Sequence, residues 1–112
     1  KTRDFLQCDH LADWHDGWMV FVDSSEAWPP RRLATDPIVY KRKPLQAVVI
    51  NSNRSAYSVR TLRKRTTNGT VIFCPRHRDA TTLGVVVSYT GRPRQRQLQA
   101  LRTRLECPVH DR

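Results

Sequence analysis

Short apolar runs punctuated by turn residues dominate this chain, and helical periodicity is scarce. Trp18-Met-Val-Phe-Val22 follows the tight-turn dipeptide Asp16-Gly17 and reads as a buried strand. Asp23 to Pro37 is rich in Ser, Pro and charge, so a loop is predicted there, shaped by Trp28-Pro-Pro30. Ile38-Val-Tyr40 and Leu45-Gln-Ala-Val-Val-Ile50 come next, with Pro44 separating them or marking an edge. Asn51-Ser-Asn53 reads as a turn, and Ala56 to Leu62 alternates apolar and polar residues as a half-solvated strand does. Asn68-Gly69 is the clearest hairpin signal, with Thr70-Val-Ile-Phe-Cys74 returning from it. Leu83 to Tyr89 is the last firm strand. The spacing predicts a mainly β fold of antiparallel sheets packed face to face as a sandwich. In the tail, Leu98, Leu101 and Leu105 fall at helical spacing, which allows a short amphipathic helix within Gln95–Glu106. Gly91 and Pro93 just upstream favour an extended approach to it.

A length of 112 residues fits one domain, and 38% hydrophobic residues suffice for one modest core. No run approaches the ~18 apolar residues of a membrane-spanning helix, and no signal peptide is visible. The chain begins with Lys1 and is expected to be a processed or truncated piece. Charge changes the picture more. The formal net charge is +10, and it is unevenly spread. Residues 1–36 hold seven acids and four bases, whereas residues 37–112 hold three acids and sixteen bases. Such a field on a small domain attracts polyanions: nucleic acid, acidic lipid surfaces or an acidic protein. Arg outnumbers Lys among the bases, which favours bidentate phosphate contacts.

Two matching tetrapeptides, Cys74-Pro-Arg-His77 and Cys107-Pro-Val-His110, leave three readings open. They supply the four ligands of a tetrahedral zinc site, or a Cys74–Cys107 disulfide with solvated histidines, or free thiols. The disulfide is favoured and implies an oxidising compartment; Cys8 is then left over. No Gly-rich phosphate loop, HExxH helix or nucleophile elbow is found, so no catalysis is expected, and no cofactor or metal ligand is assigned beyond the open zinc reading. His10 and His15 read as surface residues of an acidic loop, and Trp14 and Trp18 as core anchors.

Two basic stretches carry binding chemistry. In Gly91-Arg92-Pro93-Arg94-Gln95-Arg96 an extended backbone would project Arg92, Arg94 and Arg96 to one side. Their spacing of about 6.5–7 Å lets each meet a different phosphate. Pro93 lowers the ordering cost. The second stretch, Arg60, Arg63, Lys64 and Arg65, precedes the Asn68-Gly69 signal and serves either a phosphate backbone or the solubility of a sheet edge. Arg54, Lys41-Arg42-Lys43, Arg76 and Arg78 are candidates to extend the patch, and Tyr57 and Tyr89 are candidate base-stacking faces.

Trp14-His-Asp-Gly-Trp-Met-Val-Phe-Val-Asp23 resembles the W-x-x-G-W-x-V-F-x-D signature of GspH/FimT-type minor pilins and pseudopilins. Thr70-Val-Ile-Phe-Cys74 resembles a later strand of that family, and Val85-Val-Val-Ser-Tyr-Thr-Gly-Arg-Pro-Arg94 its Gly-Arg-x-Arg ending. The resemblance runs from about Cys8 to Cys107 and is nearest the FimT branch. It implies one globular pilin head over residues 1–112, with an Arg-rich tail at 91–112. In the whole protein an N-terminal hydrophobic helix, absent from this chain, would complete an α+β fold and supply the membrane anchor. The implied setting is a type IV pilus at the cell surface or the periplasmic side of the inner membrane, with other pilins and DNA as partners and no small-molecule substrate. The implied function is sequence-independent capture of DNA for natural transformation, with Arg92 and Arg94 matching the contact motif directly. Arg60, Arg63, Lys64 and Arg65 rest on charge alone. The alternative is a structural or priming pilin, or a type II secretion pseudopilin, without a DNA role. The tail after Arg96 is long for the family, and a Cys74–Cys107 bridge would pin it against the sheet.

Overall fold

A computed structural model describes residues 1–25, 27–59, 66–76, 81–97 and 105–107. Among these residues six strands form two antiparallel sheets. β1 (Trp18–Phe21) pairs with β2 (Ile38–Arg42), while β3 (Val48–Ser52), β4 (Gly69–Pro75), β5 (Leu83–Val87) and β6 (Pro93–Gln97) run as a meander in sequence order. The β-branched runs Thr70–Ile72 and Val85–Val87 occupy the two central strands, where pleated packing suits them. The mainly β prediction holds. Among the described residues the single helical element is a 3-10 turn, Trp14–Asp16, and no helix is long and apolar enough to cross a membrane.

Face-to-face packing of the two sheets as a sandwich is not confirmed; the Trp14–Asp16 turn, which leads into β1, packs against β3 of the other sheet. His15 explains the join. Its Nδ1 accepts the Ile50 N–H at 3.2 Å and its carbonyl accepts the Leu45 N–H at 2.9 Å, so the turn satisfies a free donor of edge strand β3. Trp14 adds an Nε1 donation to the Arg54 carbonyl at 2.9 Å and a tilted ring contact with Tyr57. His15 is therefore a structural link, not the surface residue expected; Trp14 is a half-buried support at this junction, and Trp18 is half-buried in β1. Among the described residues the buried hydrophobic core is small: Ala12, Ile50, Ile72 and Cys74.

Three local expectations change. Ala56–Val59 forms no strand; instead Ser58 and Thr67 bond to one another, the Thr67 N–H donating to the Ser58 carbonyl and the Ser58 N–H to the Thr67 hydroxyl. Asn68-Gly69 is consequently no hairpin tip, and Gly69 opens β4 without positive φ. The 91–112 segment is no simple tail, because Pro93–Gln97 completes the four-stranded sheet. The expected C-terminal helix starts as strand at Gln95–Gln97, and its next residues, 98–104, lie outside the described residues.

The long loop between β1 and β2 is organised by Asp36, a buried carboxylate that accepts from the Ser24 hydroxyl and from the Leu33 N–H at 2.9 Å. These bonds favour the ionised form, the Ser24 hydroxyl most, and hold Asp36 below the usual carboxylate range. Its contribution to stability is complete above the ordinary aspartate value of about 4 and fades as pH falls through the lower folded-state value. Asp36→Asn is expected to lower the urea midpoint at neutral pH, with the gap to wild type narrowing near pH 3. A gap of equal size at both pH values would contradict this linkage.

Candidate functional site

β6 is an edge strand, exposed at every residue and paired on one side with β5. Pro93 is its first residue, where a missing N–H is tolerated. The hairpin that delivers it depends on Gly91. The Gly91 N–H donates to the Ser88 carbonyl at 2.9 Å, the Ser88 N–H donates to the Arg92 carbonyl at 3.3 Å, and Gly91 has a φ of 80°. A turn over Ser88–Gly91 followed by a left-handed residue is a common three-residue hairpin connection. Glycine adopts that conformation without the Cβ penalty, so the Gly-Arg sequence builds the strand return itself.

The register sets the side chains. Arg94 lies opposite Val86 and Arg96 opposite Gly84, with Arg92 closing the hairpin beside Ser88. Opposed residues share a face, so Arg94 and Arg96 stand on the sheet face that carries Thr70 and Ile72 of β4. Cys74 follows two residues later on the same face, and it is bonded to Cys107 with a Cα–Cα distance of 5.7 Å. Thr82 contacts the Cys107 sulfur at 3.4 Å. The disulfide thus brings residues 105–107 back over the arginine-bearing face, and the covalent loop it closes contains β5 and β6.

Availability separates these arginines from the others. Among the described residues, none of the Arg92, Arg94 and Arg96 guanidinium groups has a hydrogen-bond or ion-pair partner. Arg3 pairs with Asp9 at 2.7 Å, and Arg32 donates to the Asp36 carbonyl at 3.1 Å and to that of Leu6. Arg54 donates to the Asn68 carbonyl at 2.8 Å and to its side-chain oxygen at 3.1 Å, so it supports the fold instead of extending the basic patch. Lys41 and Arg42 belong to β2 in the other sheet, with Lys43 just beyond. Arg76 is exposed past the end of β4, and Arg78 lies outside the described residues.

Arg60, Arg63, Lys64 and Arg65 also lie outside the described residues, but the chain that follows them does not. Thr66 is buried, donates its N–H to the Tyr89 carbonyl at 2.9 Å, and has its hydroxyl 3.2 Å from where a Cβ on Gly91 would stand. The anchor after one basic run and the turn that launches the other therefore meet at one corner. Sequence reasoning missed this corner, because nothing in Thr66-Thr67 marks a contact with Tyr89.

The zinc reading loses its thiolates to the disulfide, and His77 and His110 lie outside the described residues. A cluster unmarked in the sequence, Asp13, His15 and Asp16, has potential ligand atoms within 4.8 Å of one another. The donor set opposes a cation there. A backbone N–H can only donate, so His15 Nδ1 is the acceptor and neutral His15 carries its proton on Nε2, which faces the Asp13 carboxylate at 3.6 Å. The Asp16 carboxylate accepts the Asp13 N–H at 2.9 Å. These bonds account for the cluster as a structural turn. No family model matches the chain, and no curated protein or solved structure matches it.

Proposed function

We propose that this chain is the globular head of a minor pilin that captures DNA through phosphate contacts, without sequence preference, for uptake in natural transformation. The observation that carries the reading is the row Arg92, Arg94 and Arg96, held at two-residue intervals on an exposed edge, with no partner for these groups among the described residues. Side chains two residues apart in a strand are about 6.5–7 Å from one another, which suits successive phosphates of one nucleic-acid strand. The net charge of +10 supports the same partner by long-range attraction. The pilin assignment rests on the motif resemblance of Trp14–Asp23 and Gly91–Arg94, and on it rest the proposed pilus location, the pilin partners and the anchoring helix. The oxidising compartment that a Cys74–Cys107 bridge needs agrees with a periplasmic or surface position.

Phosphate contacts of this kind give dissociation constants of roughly 10⁻⁴–10⁻⁶ M at physiological salt. Arg92→Ala/Arg94→Ala is expected to weaken binding to all sequences alike and to reduce the slope of log affinity against log salt by about 2. A salt-titrated binding curve on several duplexes of different sequence checks this. A loss confined to some sequences would mean base readout and overturn the phosphate mechanism. Binding untouched by the double variant would move the site away from β6. No binding at low salt would leave a structural pilin or pseudopilin.

A further inference from the structure

We propose that the β1–β2 hairpin lies on the surface of an anionic lipid bilayer, its outer face entering the headgroup region while Lys41, Arg42 and Lys43 meet lipid phosphates. The inference stands apart from the nucleic-acid reading of β6, which belongs to the other sheet. Among the described residues, six of the ten exposed large apolar side chains fall between Val20 and Tyr40. Register and alternation bring three of them to one face. Val20 pairs with Tyr40, so both stand on the same side, where they remain 48% and 50% exposed. Val22 continues the alternation of β1, its N–H donating to the Pro37 carbonyl at 3.1 Å, and is 56% exposed. Arg42, two residues beyond Tyr40 and opposite Trp18, shares that face. The register shift leaves Val39 as the extra residue of β2, and it is exposed as well.

The occupant follows from charge. Lys41, Arg42 and Lys43 are consecutive and exposed, and none of their charged groups has a hydrogen-bond or ion-pair partner among the described residues. A second copy is a poor cover, because each copy carries +10 and a two-fold contact through this face would oppose these cations. An anionic bilayer takes both halves: valines and a tyrosine ring enter the interface while the cations meet phosphates at its surface. The hairpin lies on the membrane without spanning it, so backbone groups at its edges stay among hydrated headgroups.

The test is co-sedimentation of the full chain with vesicles of phosphatidylcholine alone and of phosphatidylcholine containing phosphatidylglycerol, with melting curves recorded in parallel. The chain is expected to pellet with the anionic vesicles and to stay in solution with the neutral ones. Val20→Thr/Tyr40→Thr keeps the net charge and suits a strand; it should weaken partitioning about tenfold at an unchanged melting temperature. Val22→Thr, just beyond β1, should weaken it about threefold and separates loss of the face from loss of the fold. Lys41→Ala/Lys43→Ala should weaken it roughly thirtyfold. Anionic-vesicle binding that survives both threonine variants would show attraction by charge alone and overturn the proposal. Binding that survives the lysine pair would place the contact elsewhere on the chain and overturn it too. A wild type that pellets with neither vesicle would do the same, and would leave this face to an acidic protein partner.

Discussion

Cys107→Ser is expected to cost roughly 3–4 kcal/mol of folding free energy, because the lost cross-link spans a sequence separation of 33 residues. Small domains carry about 5–15 kcal/mol in total, so the variant should sit near the edge of stability. A fall in melting temperature of roughly 10–20 °C follows for a chain of this length. The effect has few buffers here, since the buried hydrophobic core among the described residues is confined to Ala12, Ile50, Ile72 and Cys74. The reduced wild type should melt with the variant, and reductant should leave the variant's own midpoint in place. Cys8, whose thiol burial pushes up, is the free cysteine and controls for nonspecific thiol effects. A wild-type midpoint indifferent to reductant, or an intact mass showing three free thiols, would contradict the bridge. The bridge also concerns the arginine row. Because the cross-linked loop contains β5, the Tyr89 turn and β6, releasing it frees the end of an edge strand whose sheet bonds reach β5 alone. DNA affinity should therefore fall on reduction at temperatures where the rest of the chain stays folded.

How much of this was legible in advance differs by element, and the differences have physical causes. The apolar runs Trp18–Val22, Thr70–Cys74 and Leu83–Tyr89 are local signals, and strands form within or around them at Trp18–Phe21, Gly69–Pro75 and Leu83–Val87. The first is not the buried strand expected, since Val20 and Val22 are exposed. Asn68-Gly69 misled because a type I′ turn needs two strands to join, and Ala56–Val59 supplies none. The reason for glycine at 69 is long-range: a Cβ there would stand 2.5 Å from the Tyr57 hydroxyl and 2.8 Å from Arg54 Cγ. β6 escaped as a strand because Pro, Arg and Gln carry little β preference, yet the Thr90-Gly91 pair after a Val run was a readable hairpin cue. At the site, alternation made Arg92, Arg94 and Arg96 visible as a row. Composition could not separate them from Arg54, whose guanidinium belongs to Asn68 through the fold. The role of His15 depends on meeting β3 across 35 residues, which no local pattern encodes.

Gly17→Ala is the second large expected effect, and it tests the junction between the two sheets. Gly17 ends the Trp14–Asp16 turn, donates its N–H to the Trp14 carbonyl at 3.2 Å and accepts the Thr2 N–H at 3.0 Å before β1 begins. Its φ of 139° is open to glycine and strained for any L side chain, at about 1–3 kcal/mol. Space is closed as well: a Cβ would stand 2.7 Å from Phe5 Cζ and 2.9 Å from the Arg42 carbonyl oxygen. The ring can swing, but the carbonyl belongs to β2 opposite Trp18 and moves only with the strand. Overpacking of this kind adds about 1–3 kcal/mol, so a total loss of about 3 kcal/mol or more is expected in urea denaturation. Phe5→Ala/Gly17→Ala should recover the ring's share and no more, because the φ strain and the carbonyl overlap persist. Gly91→Ala provides the contrast, with a φ of 80° in the left-handed region and a nearest neighbour, the Thr66 hydroxyl, at 3.2 Å. It should cost less than Gly17→Ala yet fall more heavily on DNA affinity, since it bends the turn that launches β6. A Gly17→Ala protein within about 0.5 kcal/mol of wild type, the range of an ordinary surface change, would mean that Phe5 and β2 do not close over this position.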